Sequence, residues 1–401
     1  MRQLQLGLVV IALFAAIPGA SGERALSGYL SLEPRVFVDD PLFAVQPEAG
    51  ISPSIVLAPE FTLTWNGDDN RMTLAPYVRW DGDDDERTHT DLREALWSGA
   101  RGPWTWRVGL GRVFWGVTES RHLVDIVNQT DWVEDIDEED KLGQPMIAVE
   151  RWTATAGSFS VFLLPGFRER TFPAADARLQ GSIPVATDSA DYESGAGRRR
   201  VDWALRWADV IGRWDAGVSV FYGTAREPRL VPAQGEDGTP VLIPSYDVIR
   251  QVGLDLQYTR NAWLWKLETI GRSGHGDTFA AAVAGVEYTV FGIAGGDTDL
   301  GLLLEYLYDG RAPEAPPTIY DDDWFVGARL AFNDIQGTSI LGGVLYDEEG
   351  MFALLEGARR LGNVWRLEVE ARWFVNIDPE DRFLSGLRQD SFVTFRLARY
   401  F

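Results

Sequence analysis

Residues 365–373 read Trp-Arg-Leu-Glu-Val-Glu-Ala-Arg-Trp. Every odd position is apolar and every even position is charged. A period of two places the two sets on opposite faces of an extended strand. The apolar face begins and ends on tryptophan, and the polar face is Arg366, Glu368, Glu370 and Arg372. No helix accommodates this pattern, because a period of 3.6 would scatter the four charges around its whole circumference.

The same alternation recurs on both sides of this stretch. Ile55, Leu57, Pro59, Phe61, Leu63 and Trp65 alternate with smaller or polar residues, and Val201, Trp203, Leu205 and Trp207 alternate with Asp202, Ala204, Arg206 and Ala208. Eighteen such segments are predicted, near 25–38, 53–66, 71–81, 88–99, 104–116, 145–156, 157–166, 200–210, 213–224, 247–259, 262–272, 277–291, 299–309, 322–332, 337–346, 351–361, 363–375 and 390–401. Alternation is weak across 337–361, so sixteen is the alternative count. Most segments have about ten residues, the length of a tilted membrane strand. Their connections alternate between short turns (67–70, 101–103, 156–157, 211–212, 260–261, 333–336, 362) and long or acidic loops (39–52, 117–144, 167–199, 225–246, 311–321, 376–389).

Tryptophan decides between a soluble sandwich and a membrane barrel. Trp65, Trp104, Trp106, Trp152, Trp207, Trp214, Trp263, Trp265 and Trp365 lie beside short turns, and Trp80, Trp324 and Trp373 lie beside acidic loops. Aromatic rings at both ends of an apolar band mark the two water interfaces of a membrane barrel. The expected fold is therefore all-β: a transmembrane antiparallel up-and-down barrel of about eighteen strands, with long extracellular loops and short periplasmic turns. It is expected to fill residues 23–401.

Composition limits the partners. The 401-residue chain is 45% hydrophobic and 24% charged, and carries a formal net charge of -23. Such an acidic surface repels nucleic acid. Absence of cysteine excludes disulfides and thiolate metal sites. Residues 1–22 read as a signal peptide, with Arg2, an apolar stretch from Leu6 to Ile17, and Ala20-Ser21-Gly22 for cleavage.

On the final segment, Val393, Phe395, Leu397 and Phe401 share one face and the chain stops at Phe401. This resembles the terminal strand of bacterial outer-membrane β-barrels. The resemblance implies that Phe401 is an assembly signal for the insertion machinery, in a chain surrounded by lipid and lipopolysaccharide in the outer membrane. Arg399 departs from the pattern by standing on the apolar face. Three stretches are similar to porin-like channels of the substrate-specific and alginate-export kind: Gly-Leu-Gly-Arg-Val-Phe-Trp-Gly (109–116), Val-Asp-Ile-Val-Asn-Gln (124–129) and Leu-Pro-Gly-Phe-Arg-Glu-Arg-Thr-Phe-Pro (164–173). They imply a channel without naming its substrate.

Alternation assigns Arg79, Arg93, Arg107, Arg151, Arg206, Lys266, Arg329, Arg366, Arg372 and Arg396 to the inner wall, with Glu33, Asp202, Asp255, Glu268, Glu287, Glu305, Glu368 and Glu370. The 117–144 connection follows the fifth segment and is therefore the third outer loop. It holds nine carboxylates, Glu119, Asp125, Asp131, Glu134, Asp135, Asp137, Glu138, Glu139 and Asp140, against Arg121 and Lys141. It also carries Leu123, Val124, Ile126, Val127, Trp132 and Val133, too apolar for a loop in open water. General porins resemble this arrangement in folding their third loop inward, which makes it the candidate constriction.

Catalysis finds little support. The three histidines are His89, His122 and His275. Ser120 and His122 are two residues apart, a spacing that rarely brings nucleophile to base, and no Gly-x-Ser-x-Gly elbow occurs. The acidic runs 81–86 and 135–140 lack the glycine and spacing of an EF-hand. No catalytic residue, metal or cofactor is expected. The expected function is diffusion of small hydrophilic solutes; the alternative is export of a polysaccharide or other polymer, with a rim enzyme a third reading.

Overall fold

The computed structural model describes residues 22–401, except 49, 236–237, 348–349 and 382–383. The expected signal peptide, apart from Gly22, lies outside the described residues. Eighteen strands form one closed antiparallel barrel among the described residues. They are β1 (Glu23–Leu32, continued by Arg35–Phe37), β2 (Ile51–Ser52 and Ser54–Trp65), β3 (Asn70–Asp81), β4 (Thr90–Arg101), β5 (Trp104–Gly111) and β6 (Gln144–Thr153). Next come β7 (Gly157–Pro165), β8 (Val201–Ile211), β9 (Trp214–Thr224), β10 (Val248–Arg260), β11 (Trp263–Gly274) and β12 (Gly276–Val290). The last six are β13 (Asp299–Asp309), β14 (Asp322–Ala331), β15 (Ser339–Asp347), β16 (Gly350–Leu361), β17 (Trp365–Val375) and β18 (Phe392–Tyr400). Each falls on an expected segment, and the weakly alternating pair 337–361 forms β15 and β16.

Pairing of β1 with β18 closes the barrel, through Tyr29–Tyr400, Leu32–Leu397 and Arg35–Thr394. Every backbone group can then pair within the barrel wall, which a bilayer requires. Phe401 completes the seam: its N–H donates to the Gly28 carbonyl. Gly28 has φ +145°, and a Cβ there would stand 3.1 Å from the Phe401 ring.

The outer surface is apolar, with Leu30, Leu57, Val161, Leu205, Leu302, Leu304 and Val326 exposed along it. Near the short turns, Trp214 packs at a tilt against Tyr258 at 4.6 Å, Tyr258 against Trp265 at 5.5 Å, and Trp263 against Tyr288 at 4.5 Å. This ladder is one sector of an aromatic girdle running over β9–β12. Trp80 and Trp324 are exposed near the opposite rim.

One inward assignment fails. Arg151 shares its face with the exposed Ile147 and Val149, and its guanidinium lies over the Trp104 ring at 5.3 Å. Arg151 therefore faces outward at the interfacial girdle, and Trp152 takes the inward register opposite Ser158. The cause is that β6 is apolar on both faces. Met146 and Ala148 are buried inside the lumen while Ile147 and Val149 are exposed outside, so hydropathy gives no parity.

Candidate functional site: the inserted third loop

After β5 the chain enters the lumen instead of turning back at the rim. Asn128 cinches the base of this loop. Its Oδ1 accepts the Val113 N–H at 2.9 Å, and its Nδ2 donates to the Gly111 carbonyl at 2.9 Å and the Leu142 carbonyl at 2.8 Å. One side chain thus holds the departing and returning strands together. Leu123, Val124, Ile126 and Val127 are buried, forming one apolar cluster with Met146, Phe162, Phe221 and Ile270 of the wall. Full burial of each such side chain contributes on the order of 1.5–3 kcal/mol.

Polar clamps fix the loop to the wall in three sectors. In the first, the buried Glu268 carboxylate on β11 accepts N–H groups of Val117 at 2.7 Å, Thr118 at 3.1 Å and Val124 at 3.2 Å, plus the Thr118 hydroxyl at 2.7 Å. Close passage is needed here. Gly116 has φ +150°, and a Cβ on it would come within 3.0 Å of Glu268 Oε1. On β13, Glu305 accepts the N–H groups of Glu119 at 2.9 Å and Ser120 at 2.8 Å. Glu119 in turn meets Arg329 at 2.5 Å and Lys266 at 3.6 Å.

In the second sector, Glu134 receives Arg79 of β3 at 2.5 Å, the Tyr77 hydroxyl at 2.9 Å and Arg93 of β4 at 3.4 Å. Arg79 also meets Glu33 of β1 at 2.8 Å, and Arg93 is hydrogen-bonded to Asp131. Although burial opposes the Glu134 carboxylate, Arg79, Arg87 and Arg93 outweigh it and hold its pKa well below the usual range. In the third sector, Arg372 of β17 meets Asp137 at 2.8 Å, Glu356 at 3.0 Å and Asp135 at 3.5 Å. Glu138 pairs with Arg170 at 3.2 Å and Asp125 with Lys141 at 3.6 Å. Of the candidate constriction residues, Glu139 and Asp140 alone are exposed.

The expected wall residues fall into two groups. Arg79, Arg93, Glu268 and Arg372 point inward and lie buried beneath the loop. Arg206 is held bidentately by Asp255 at 2.8 Å and stacks on Trp115 of the loop. Nearer the short turns, Arg107, Lys266, Glu287, Arg329, Arg366, Glu368 and Glu370 are partly accessible. These form a lattice of shorter-range pairs: Lys266–Glu287 at 3.6 Å, Arg366–Glu368 at 2.9 Å and Glu368–Arg396 at 3.3 Å.

Hydropathy did not mark the fourth outer loop, 167–199, as an inward one. Phe167, Ala177, Arg178 and Leu179 are buried at the mouth. Arg178 reaches Asp390 at 2.7 Å and lies over the Phe37 ring at 4.3 Å. Thr171 bonds Asp131 at 2.7 Å, so this loop packs onto the third. With both loops in place, every one of the eighteen strands has at least one inward residue that is buried. On the extracellular side of the third loop a cavity of about 470 Å³ remains, lined among others by Arg121, Trp132, Glu138, Arg170, Phe172 and Tyr320.

His122 stands 3.7 Å from Glu268 and edge-on to Phe114, and His89 stacks on Tyr77. His89, Asp131 and Glu134 are close enough to share an ion, but Arg79 and Arg93 already supply that cluster with positive charge.

No family model matches the chain, and no curated protein matches it. Solved structures do. A BenF-like porin from Pseudomonas fluorescens Pf-5 is 9% identical, with 95% of this chain and 98% of that chain covered at a TM-score of 0.55. Wzi, an outer-membrane protein involved in Group 1 capsule assembly in Escherichia coli and described as a carbohydrate-binding β-barrel, is 12% identical, with 98% and 87% covered at a TM-score of 0.51. At such identities the likeness is one of fold. With its closed wall, apolar belt and aromatic girdles, the chain has the fold of an outer-membrane β-barrel of porin-like architecture.

Proposed function

We propose that the protein is a channel for small hydrophilic solutes whose route is narrowed by its own third loop. The carrying observation is the clamped insertion of residues 117–144 between an accessible, charged inner half and an extracellular cavity. Solutes arriving from outside collect above the loop and leave through the wall of mixed charge below it. The charge balance refines the selectivity. Glu134 and Glu138 are paired with arginines while Asp135 and Asp137 share Arg372, so the loop retains negative charge at the exposed Glu139 and Asp140 side and favours cations. The reading contains no catalytic step and no cofactor. Phe401 acts as the assembly signal, its ring displayed to the lipid beside Gly28.

Export of a polysaccharide is the second reading. It is favoured by the extracellular cavity, where Trp132, Phe172 and Tyr320 stand beside Arg121, Arg170 and Glu138. Planar-bilayer recording separates the two. Solute diffusion predicts stepwise conductance that rises when residues 134–140 are removed. Export predicts conductance that is blocked by added oligosaccharide from the extracellular side alone. Silence in parent and deletion variant alike would sink both.

A further inference from the structure

The lipid-facing surface carries few charges, and they are unevenly placed. On the short-turn side, Arg101 and Arg260 end β4 and β10, while Arg151 and Arg399 lie near the ends of β6 and β18. Each stands directly across from an exposed girdle tryptophan and shares its outward face. Arg101 and Arg151 both oppose Trp104, Arg260 opposes Trp263, and Arg399 opposes Trp365. All four arginines are exposed. Among the described residues, none of them meets a carboxylate.

The chain as a whole is acidic, with a formal net charge of -23, so this placement runs against its composition. Arg359, also outward here, is paired with Asp334 at 3.3 Å. Among the described residues, Asp209 is the one carboxylate on an outward strand position of this end, and its Oδ1 accepts the Val210 N–H at 2.9 Å. At the opposite rim the outward strand positions carry Arg250 and Asp322, one charge of each sign. An arginine on the lipid face costs little at a water interface and much more towards the midplane. That accounts for the height of these side chains and leaves their single sign to be explained.

The arginines are densest over β4–β6. Neighbouring strands lie about 4.8 Å apart, so Arg101 and Arg151 flank Trp104 with about 10 Å between their Cα atoms. The Arg151 guanidinium rests over the Trp104 ring at 5.3 Å, a contact that holds it without using its N–H groups. Towards the membrane centre the same face continues as Val108, Ile147 and Val149, all exposed. We propose that Arg101, Trp104 and Arg151 bind an anionic glycerophospholipid of the periplasmic leaflet, the leaflet that short turns adjoin. Its phosphate lies between the two guanidinium forks, which match phosphate oxygens bidentately. Its acyl chains run along Val108, Ile147 and Val149. A zwitterionic headgroup brings its own ammonium towards the arginines, whereas phosphatidylglycerol brings none. Arg260 with Trp263 and Arg399 with Trp365 repeat the pair singly.

The test uses the full-length barrel refolded in a nonionic detergent. Phosphatidylglycerol, phosphatidylcholine and lipid A are the probes, and native mass spectrometry reads the bound fraction. For its tightest-bound equivalent the parent should prefer phosphatidylglycerol over phosphatidylcholine by about thirtyfold, about fivefold for each arginine beside the headgroup. Arg101→Gln with Arg151→Gln should erase most of that preference and leave phosphatidylcholine binding unchanged. Either single variant should lose about fivefold, and decides the matter if the double variant does not refold. Lipid A should bind parent and double variant alike. Equal affinity of the parent for the two phospholipids, or a preference undiminished in the variants, would overturn the site. A double variant that loses lipid A binding instead would assign these arginines to the other leaflet and overturn it as well.

Discussion

The two halves of the lumen follow one sequence rule and end in different physics. In both, charged residues alternate with apolar ones, and the charged face points inward. In the half near the short turns, Arg366, Glu368 and Glu287 keep contact with water and pair along the wall. In the extracellular half, Arg79, Glu268 and Arg372 are sealed beneath the third loop and pair with it. Alternation therefore fixes which way a side chain points. Whether it meets water depends on what the loops do, and a charge sealed by a loop is a clamp rather than a solvated wall group.

The largest expected difference comes from removing one carboxylate in each half. Glu134→Ala leaves Arg79 with Glu33 alone and takes a partner from Arg93. Loss of one member of a buried pair costs about 3–5 kcal/mol. Glu368→Ala, in the accessible lattice, should cost about 1 kcal/mol or less. Urea unfolding of the refolded barrels measures both, and equal losses would erase the distinction between the halves.

A smaller effect is expected from Glu268→Gln. The side chain keeps its size, but its charge no longer holds the N–H groups of Val117, Thr118 and Val124. Hydrogen bonds to a charged group contribute about 1.5–3 kcal/mol. Protease nicking within 112–143 should become faster while the barrel stays folded; an unchanged nicking rate would remove Glu268 as an anchor.

Labelling sharpens the same comparison, since the chain has no native cysteine. A hydrophilic thiol reagent should modify Arg366→Cys quickly. It should modify Arg372→Cys slowly because of the loop, and Leu367→Cys not at all because that side chain faces lipid. Labelling at 367 in preference to 366 would mean a register slip of one residue.

The smallest effect is a pH dependence at His122. Burial disfavours its charged form, but the Glu268 carboxylate outweighs burial and raises its pKa above the ordinary histidine value. A raised histidine pKa adds stability below the unfolded value of about 6.5, and that contribution is lost as pH rises through the folded pKa. Loop protection should therefore weaken from pH 6 towards alkaline pH, and His122→Gln should abolish that slope. An identical slope in the variant would place its origin elsewhere.

Much of this was legible in the residues. Trp365–Trp373 gives the period, the tryptophans give the girdles, and Leu123, Val124, Ile126 and Val127 mark a loop unsuited to water. Arg151 was not legible, because β6 is apolar on both faces. The role of Glu268 was hidden for another reason: its partners are backbone N–H groups, which no side-chain pattern reveals. Asn128 was hidden likewise, since it bonds two carbonyls and one amide. The fourth loop is held by Arg178 through Asp390 and the Phe37 ring, partners more than a hundred residues away.

The most direct test of the clamped-loop channel is single-channel conductance with and without residues 134–140. The deletion removes the contacts to Arg79, Arg372 and Arg170 together with the exposed Glu139 and Asp140. Conductance should rise and cation preference should fall. At 1 M salt the selectivity difference should shrink, because the Debye length drops to about 3 Å from about 10 Å at 0.1 M. The size difference should persist, since volume is not screened. Unchanged conductance and an unchanged reversal potential in the deletion variant would contradict the assignment of this loop as the element that narrows the channel.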